Sequence, residues 1–307
     1  MAARWLRSLA AAPLMLGSLL AGVGSTALSL TAPTPARALV PYVLVPSEVS
    51  LEGAGLGIAQ AAARLLRLGQ AEDAARLAAL VVQLIPADPR GWVLLAEAQL
   101  RSGQEKKAGV ALARARELDP SNAGILFAQG SLALKDNNPT QAAELIRQGL
   151  KLDGRNAGAY FDLGNAQILM GRNREALTAF EKAADLRKNF WEAINNQALV
   201  LYEQKKDGEA IKRWRRVLGI KPTAAEPMLA LAAALNSQKP GNAESLELAH
   251  RALAGEPNYV LESYQKEQLW GNRLRGSTAR LLAEAPLKAD VERAHANAGT
   301  SNGDDEP

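Results

Sequence analysis

Residues 157–190 read AGAYFDLGNAQILMGRNREALTAFEKAADLRKNF, and this stretch decides the fold. Apolar residues recur every three to four positions on both sides of Gly171, which predicts two helices of about 12–14 residues joined by a turn. Gly171 suits the left-handed end of the first helix because it has no Cβ. Gly164 and Ala176 are small, so the two helices can pack closely. One such pair cannot bury its apolar face alone, and neighbouring pairs must stack on it.

The same pattern recurs along the chain with a period of 34 residues. Blocks begin at positions 55, 89, 123, 157, 191 and 225, and the last takes one extra residue in NSQKPGN. The eighth position of every block is small: Ala62, Ala96, Gly130, Gly164, Ala198 and Ala232. The larger twenty-fourth positions are expected to fill the space between pairs: Leu112, Ile146, Phe180 and Trp214. The repeat predicts an all-α solenoid of six helix pairs over residues 55–258.

At these positions the chain resembles the tetratricopeptide repeat (TPR) family. The residues that carry the resemblance are Trp92, Tyr160, Leu163, Gly164, Ala176, Phe180 and Ala183. Gly154 and Lys188 stand where the family usually has proline, so those two junctions are expected to turn less sharply. The resemblance implies a right-handed TPR solenoid in which the first helix of each pair lines a concave groove for peptides.

The segments that flank the repeats have a different composition. Residues 39–54 contain two prolines and are interpreted as a linker or an extended arm. Residues 259–286 are predicted to form one amphipathic capping helix over the last repeat, because a repeat array needs a cover on its open end. Residues 287–307 are polar and are predicted to be disordered.

The first 38 residues have the layout of a secretory leader. A short basic start is followed by 29 uncharged residues, and the stretch ends in Ala36-Arg37-Ala38. This pattern predicts a signal peptide cleaved before Leu39. The alternative is an uncleaved anchor, because the uncharged stretch is long enough to span a bilayer. Either way, the leader predicts export to a periplasm or a thylakoid lumen, with membrane attachment by the N-terminus if the anchor is kept.

Composition excludes several classes of function. The chain has no cysteine, which rules out disulfides, zinc–thiolate sites and thiol nucleophiles. The net charge of +4 includes three arginines of the leader, so the remainder is almost neutral and no nucleic-acid partner is expected. The two histidines have no metal-binding spacing, and no nucleophile–base arrangement is visible. We therefore expect no enzyme activity, cofactor, metal or catalytic residue.

The resemblance also implies a peptide-binding groove. In this family the second, fifth, sixth, ninth, twelfth and thirteenth positions of a block tend to face the groove. Here they give Glu97, Phe127, Ser131, Phe161, Asp162, Asn165, Asn195, Asn196 and Tyr202. Asn195 and Asn196 are expected to face a peptide backbone and not the core, since an amide side chain both donates and accepts hydrogen bonds. Phe127 and Phe161 are expected to form apolar sockets. The alternatives are that the asparagines bond to a neighbouring helix and that the two rings belong to the core between repeats.

A second candidate surface is basic. The residues are Lys212, Arg213, Arg215 and Arg216, which are expected on the outer side of a second helix. They could dock an acidic lipid head group or an acidic subunit, and so provide membrane association. The alternative is an ordinary solvated convex face.

Taken together, the sequence predicts a non-enzymatic protein–protein interaction scaffold in an exported compartment. The stretches FDLGNA and FWEAINNQALVLYE also look similar to the TPR assembly factors of cyanobacterial and plastid photosystems. That resemblance implies a role in building photosynthetic membrane complexes. The alternative function is a cell-envelope structural adaptor, for pilus or peptidoglycan machinery, that acts by self-association.

Overall fold

The computed structural model describes residues 48–299, and their side chains from Leu51 onward. The leader, most of the linker and the last eight residues lie outside the described residues. Over the described range all regular structure is helical, and consecutive helices pack in pairs. The predicted all-α TPR fold is confirmed.

Twelve helices build the repeats. The first helices of the pairs are α1 Glu48–Arg67, α3 Pro89–Arg101, α5 Ala123–Lys135, α7 Ala157–Leu169, α9 Trp191–Glu203 and α11 Ala225–Gln238. The second helices are α2 Ala71–Leu84, α4 Glu105–Leu118, α6 Pro139–Leu152, α8 Asn173–Leu186, α10 Asp207–Ile220 and α12 Ala243–Gly255. The chain divides into two compact units, one up to Leu118 with α1–α4 and one from Asp119 with the remaining helices.

Close packing within a pair depends on the small eighth position. A Cβ added to Gly164 would lie 2.4 Å from Cε1 of Phe180, and one added to Gly130 would lie 2.5 Å from Cγ1 of Ile146. These distances are shorter than van der Waals contact, so the large twenty-fourth side chain fills the space that the glycine leaves. Phe180, Ile146 and Trp214 are fully buried, as the repeat pattern predicts.

The turn inside each pair is also set by the repeat. The first helix of the fourth pair ends in a left-handed residue at Gly171, as predicted, and Gly69 and Gly103 take the same conformation at the equivalent position of the first two pairs. Asn137 and Lys205 occupy the same place in the third and fifth pairs, with φ angles of 55° and 63°. Asparagine tolerates this conformation, whereas lysine has no special aptitude for it.

Helix α1 begins earlier than predicted. It starts at Glu48, so the interpretation of residues 48–54 as a linker is wrong. Both prolines of the segment precede the helix, at positions 41 and 46, and none interrupts it. Helix α1 packs closely against the side chain of Ile85 at Gly55. A Cβ added to Gly55 would lie 2.5 Å from Cδ1 of Ile85, so this contact depends on the missing side chain.

The C-terminal region contains several short elements in place of the single capping helix predicted for residues 259–286. They are a 3-10 helix Pro257–Val260, α13 Glu262–Glu267, α14 Asn272–Leu282 and a 3-10 helix Ala285–Leu287. The helix is broken at Leu269, whose φ of 65° is not helical. These elements cover two different surfaces of the last repeats: the first 3-10 helix packs on α12, and α14 packs on α11 and α9.

The predicted disordered tail is wrong over residues 288–297. They form helix α15 Lys288–Asn297, which packs on α12 and on the first 3-10 helix. The polar composition of this segment did not indicate that a few of its side chains are buried. Leu287 and Ala294 are each 2% exposed, and His250 Nδ1 lies 2.9 Å from Oδ1 of Asp290. Residues 300–307 lie outside the described residues.

Candidate interaction surface on the first helices

Four first helices of the second unit, α5, α7, α9 and α11, form what we call the first-helix face. Three of these helices, α5, α7 and α9, are joined by a repeated hydrogen bond. Ser131 Oγ donates to Oδ2 of Asp162 at 2.6 Å, and Asn196 Nδ2 donates to Oδ1 of Asn165 at 2.9 Å. Each bond connects the ninth position of one repeat with the sixth position of the next. Four of the predicted groove residues therefore hold consecutive repeats together: Ser131, Asp162, Asn165 and Asn196. Asn165 is fully buried, so the prediction that it faces the groove is wrong.

Asn195 and Asn196 are core residues. They are 1% and 8% exposed, so the prediction that they face a peptide in the groove is wrong. Asn195 Oδ1 accepts a hydrogen bond from Nε1 of Trp214 at 3.1 Å, and its Nδ2 donates to Oδ1 of Asn196 at 3.3 Å. Through Asn196 this donor chain continues to Asn165, whose Nδ2 is buried without a partner. The two asparagines satisfy the buried indole and link α10, α9 and α7.

The fifth position of a repeat packs inside the fold for a geometric reason. At 3.6 residues per turn it lies about 60° around the helix from the eighth position, which contacts the second helix. The Phe161 ring accordingly packs 5.7 Å from the Phe180 ring and 5.1 Å from the Phe190 ring. The Phe127 ring lies against Gly149, where an added Cβ would be 2.5 Å from its Cε1. The rings are half-buried packing residues, in line with the core alternative, and not open sockets.

Tyr202 is fully buried because α14 covers it. Its hydroxyl lies 2.9 Å from Oγ of Ser277, and the Arg273 guanidinium lies 3.9 Å above its ring. The prediction that Tyr202 lines an open groove is wrong. Over α9 and α11 the chain's own helix α14 occupies the first-helix face.

The first-helix face of α5 and α7 keeps some solvent access. Ala128, Ser131, Phe161 and Asp162 are half-buried there. The polar pair Ser131–Asp162 is flanked by the two aromatic residues of the same helices, Phe127 and Phe161. The Asp162 carboxylate, a hydrogen-bond acceptor, therefore lies beside the partly exposed rings of Phe127 and Phe161.

Glu97 belongs to the first unit, where it lies on α3. Its carboxylate accepts a hydrogen bond at 2.7 Å from Arg101, one turn later in the same helix. Such an exposed i,i+4 ion pair contributes only about 0.3–0.5 kcal/mol to stability. Glu97 therefore remains available on the surface of its unit.

The predicted basic patch is engaged within the chain at three of its four positions. Arg213 Nε donates to Oε1 of Gln197 at 2.9 Å, whose own amide donates to the Phe180 carbonyl. Arg215 contacts both carboxylate oxygens of Glu244, and Arg216 donates to the carbonyl of Lys188. Lys212 is exposed. These arginines tie α10 to neighbouring helices.

The chemistry of other sites is limited in the described part of the chain. Between residues 48 and 299 no three histidine or carboxylate side chains are grouped in a way that could hold a metal ion. His250 pairs with Asp290 in a contact between α12 and α15. Within the same range, no helix has both the length and the apolar character needed to cross a membrane.

Sequence reasoning missed the residues that seat α14. Glu203, Asp207 and Arg273 meet there although Arg273 is 70 residues from Glu203 and 66 residues from Asp207. A local signal existed in the sequence GNRLRGS, where a glycine stands at the start of a helix that has no acidic residue in its first turn. Such a helix needs its N-terminal N–H groups satisfied by another part of the chain.

Comparisons with known proteins agree with the fold. The tetratricopeptide repeat model matches residues 157–190. A search of curated proteins finds no match. Among solved structures, PilF of Pseudomonas aeruginosa is 18% identical with a TM-score of 0.61, covering 71% of this chain and 98% of its own. PilW, described as a widely conserved type IV pilus biogenesis factor, is 17% identical with a TM-score of 0.56 and coverages of 73% and 97%.

A third structure is YrrB, described as a TPR protein with an unusual peptide-binding site. It is 18% identical with a TM-score of 0.50, covering 62% of this chain and 97% of its own. At these identities the three likenesses show the fold alone. The similarity to photosystem-assembly proteins is not tested by them and stays a prediction.

Proposed function

We propose that this chain, a tetratricopeptide-repeat protein, is a non-enzymatic scaffold that binds an extended segment of another protein on the first-helix face of α5 and α7. The observation that carries the proposal is the contrast along this face. Over α9 and α11 it is filled by α14, while Ser131 and Asp162 on α5 and α7 stay partly accessible. The acceptor at Asp162 suits a backbone N–H or a basic side chain of the bound segment.

The expected affinity is moderate. A few net hydrogen bonds contribute about 1 kcal/mol each, and partial burial of the two half-exposed rings adds about 1–2 kcal/mol per ring. Association costs offset part of this gain, which leaves a dissociation constant on the order of micromolar. A scaffold of this kind binds and releases its partner during assembly of a larger complex.

We place the protein in an exported compartment, either a periplasm or a thylakoid lumen, with assembly of photosynthetic membrane complexes as its narrower role. The leader pattern of residues 1–38 supports export, and the resemblance of FDLGNA and FWEAINNQALVLYE supports the narrower role. Cell fractionation would test the first part. Co-purification with photosynthetic subunits would test the second, and their absence from every preparation would count against it.

The binding proposal is tested by a pull-down from membranes solubilised in mild detergent. The bait is the chain from Leu39, compared with a Ser131→Arg/Asp162→Arg variant. The control is Thr178→Arg/Asp185→Arg, which makes the same change of charge on the exposed side of α8. A partner that the control retains and the first variant loses, with unchanged circular dichroism, supports the proposal. Equal capture by both variants contradicts it.

Self-association as an envelope adaptor is the second candidate. It is favoured by exposed apolar side chains in the first unit, since Leu68, Leu80 and Val110 are 64%, 45% and 70% exposed. Sedimentation equilibrium of the purified chain distinguishes the two functions. A mass that increases with concentration, and stays monomeric in a Leu80→Lys/Val110→Lys variant, would favour the adaptor.

A further inference from the structure

Helix α14 depends on α9 for its N-terminal cap. Its own N-cap residue is Gly271, which has no side chain to accept a hydrogen bond. The Glu203 carboxylate takes that role: Oε2 accepts from the N–H of Arg273 at 3.1 Å, and Oε1 accepts from the N–H of Leu274 at 2.9 Å. The carboxylate also opposes the positive end of the helix dipole. A Cβ on Gly271 would lie 2.2 Å from Cδ of Glu203, so a larger residue here would have to displace the capping carboxylate.

The first turn of α14 places Arg273 against α9 and α10. Arg273 donates to both carboxylate oxygens of Asp207, at 2.6 and 2.7 Å, and to the carbonyl of Tyr202 at 2.5 Å. Its guanidinium lies over the Tyr202 ring. The hydrogen bond with Asp207 is the main reason that the pKa of Arg273 is raised above its ordinary value. Charge, planarity and ring contact together select arginine and not lysine.

The remainder of α14 completes the fit. Ser277, one turn after Arg273, meets the Tyr202 hydroxyl, and Leu274 and Leu281 are fully buried. The helix carries three arginines and no acidic residue, while Glu203 and Asp207 provide the acidic rim of the seat. The contact is therefore electrostatically complementary as well as apolar. We call this surface of α9, α10 and α11 the α14 seat.

The connection to α14 is strained. Leu269, between α13 and α14, has a φ of 65°, which is unfavourable for a bulky residue. An 11-residue helix without its own cap is also not stable in water by itself. Part of the docking free energy is thus spent on strain and on ordering the helix. A competing helix that does not carry this strain gains an advantage over α14.

We propose that the α14 seat is a binding site for a basic helix of a partner protein, and that α14 is an internal ligand which the partner displaces. The partner helix carries Arg-Leu in its first turn and a serine or threonine four residues after the arginine, as α14 does. This inference does not rest on binding at α5 and α7. A partner is favoured over a second copy because α15 is held on α12 by its own contacts. Exchange between two copies would require α15 to detach as well.

The test measures fluorescence anisotropy of a labelled peptide with the sequence of residues 270–284, WGNRLRGSTARLLAE. It is titrated with the full chain and with a Gly271→Ala/Arg273→Ala variant, in which the added Cβ displaces the capping Glu203 carboxylate and α14 loses its bonds to Asp207. We call this chain the vacant variant. We expect the variant to bind the peptide at least about tenfold more tightly than the unaltered chain, because its own α14 competes less strongly for the seat. A matched Lys266→Ala variant loses the same charge from an exposed position on α13 and should bind like the unaltered chain.

Two further titrations assign the site. A peptide with alanine in place of its Arg273, or an added Asp207→Ala substitution in the vacant variant, should weaken binding at least about tenfold. The Ser131→Arg/Asp162→Arg chain should bind the peptide as the unaltered chain does, so failure here is distinguishable from failure of the proposed function. Equal affinity of the vacant and unaltered chains would overturn the proposal.

Hydrogen exchange of the unaltered full chain tests displacement of α14 even if the Gly271→Ala/Arg273→Ala variant does not fold. Amides of α14 should exchange at least about tenfold faster than those of α9 and α11, since α14 opens without unfolding the repeats. Equal protection of all three helices would show a permanent cap and overturn the proposal. Light scattering that detects a dimer when α14 opens would assign the seat to a second copy and would also overturn it.

Discussion

The two halves of the first-helix face use the same repeat positions for different purposes. On α5 and α7 the bond between the ninth and sixth positions joins Ser131 to Asp162, and both side chains keep solvent access. On α7 and α9 the equivalent bond joins Asn165 to Asn196, and both are buried. The difference shows that a repeat position fixes which helices a side chain lies between. Whether the side chain can meet a ligand depends on what covers it.

The largest effect expected from this comparison is in the core beneath the buried half, where Trp214 of α10 donates to Asn195. Trp214→Ala should lower the free energy of unfolding by about 3–5 kcal/mol, because a fully buried indole leaves a cavity. Urea denaturation followed by circular dichroism measures the loss. Trp92 is half-buried in the first unit and donates to the Pro86 carbonyl, so Trp92→Ala should cost clearly less. Equal losses would contradict the assignment of the core.

The asparagine chain gives the next largest effect. Asn195→Ala should cost about 1–3 kcal/mol, since it leaves the buried Nε1 of Trp214 and the Oδ1 of Asn196 without their partner. Ser131→Ala breaks the accessible bond of the other half and should cost less than about 1 kcal/mol, because water can replace the hydroxyl. The same denaturation experiment compares the two. A greater loss for Ser131→Ala would reverse the distinction between the halves.

Helix α14, which covers the buried half, should pack less firmly when its contact with Glu203 of α9 is removed. Glu203→Ala should cost about 1–2 kcal/mol, because the first N–H groups of α14 lose the carboxylate that caps them. Limited proteolysis should then cleave the chain near residues 268–275 faster than in the unaltered protein. Glu209→Ala removes a carboxylate from α10 outside the seat and serves as the control. Unchanged cleavage would indicate that apolar contacts alone hold α14.

The smallest expected effect is a gain. Lys205→Gly should raise the free energy of unfolding by about 0.5–1 kcal/mol, because the left-handed conformation at the end of α9 strains lysine but not glycine. The mirror change, Gly171→Lys, should lower stability by a similar amount at the equivalent turn of the preceding repeat. Thermal denaturation of both variants tests the pair. If both changes shift stability in the same direction, the turn is not what decides it.

The sequence was sufficient for the parts of the molecule that repeat. Its period predicted the paired helices, the small eighth positions and the glycine turns, because each depends on contacts within one block or between adjacent blocks. It failed at Asn195. The fifth position lies between the groove side and the interface of the helix pair, and the residue type alone does not indicate towards which of the two a polar side chain points. It failed at α14 because Glu203 and Gly271 meet through the tertiary fold, with no local pattern that links them.

The dependence of α14 on Glu203 also sets an order of events during biosynthesis. The carboxylate precedes Leu274 by 71 residues, so it is synthesised and, if the chain is exported, translocated first. Until α9 has formed and packed, α14 has no cap and stays unstructured. A protease that removes unfolded ends would therefore act on chains whose repeats are incomplete and spare finished ones. In this way the folding of α14 depends on whether the repeat that contains α9 has already folded.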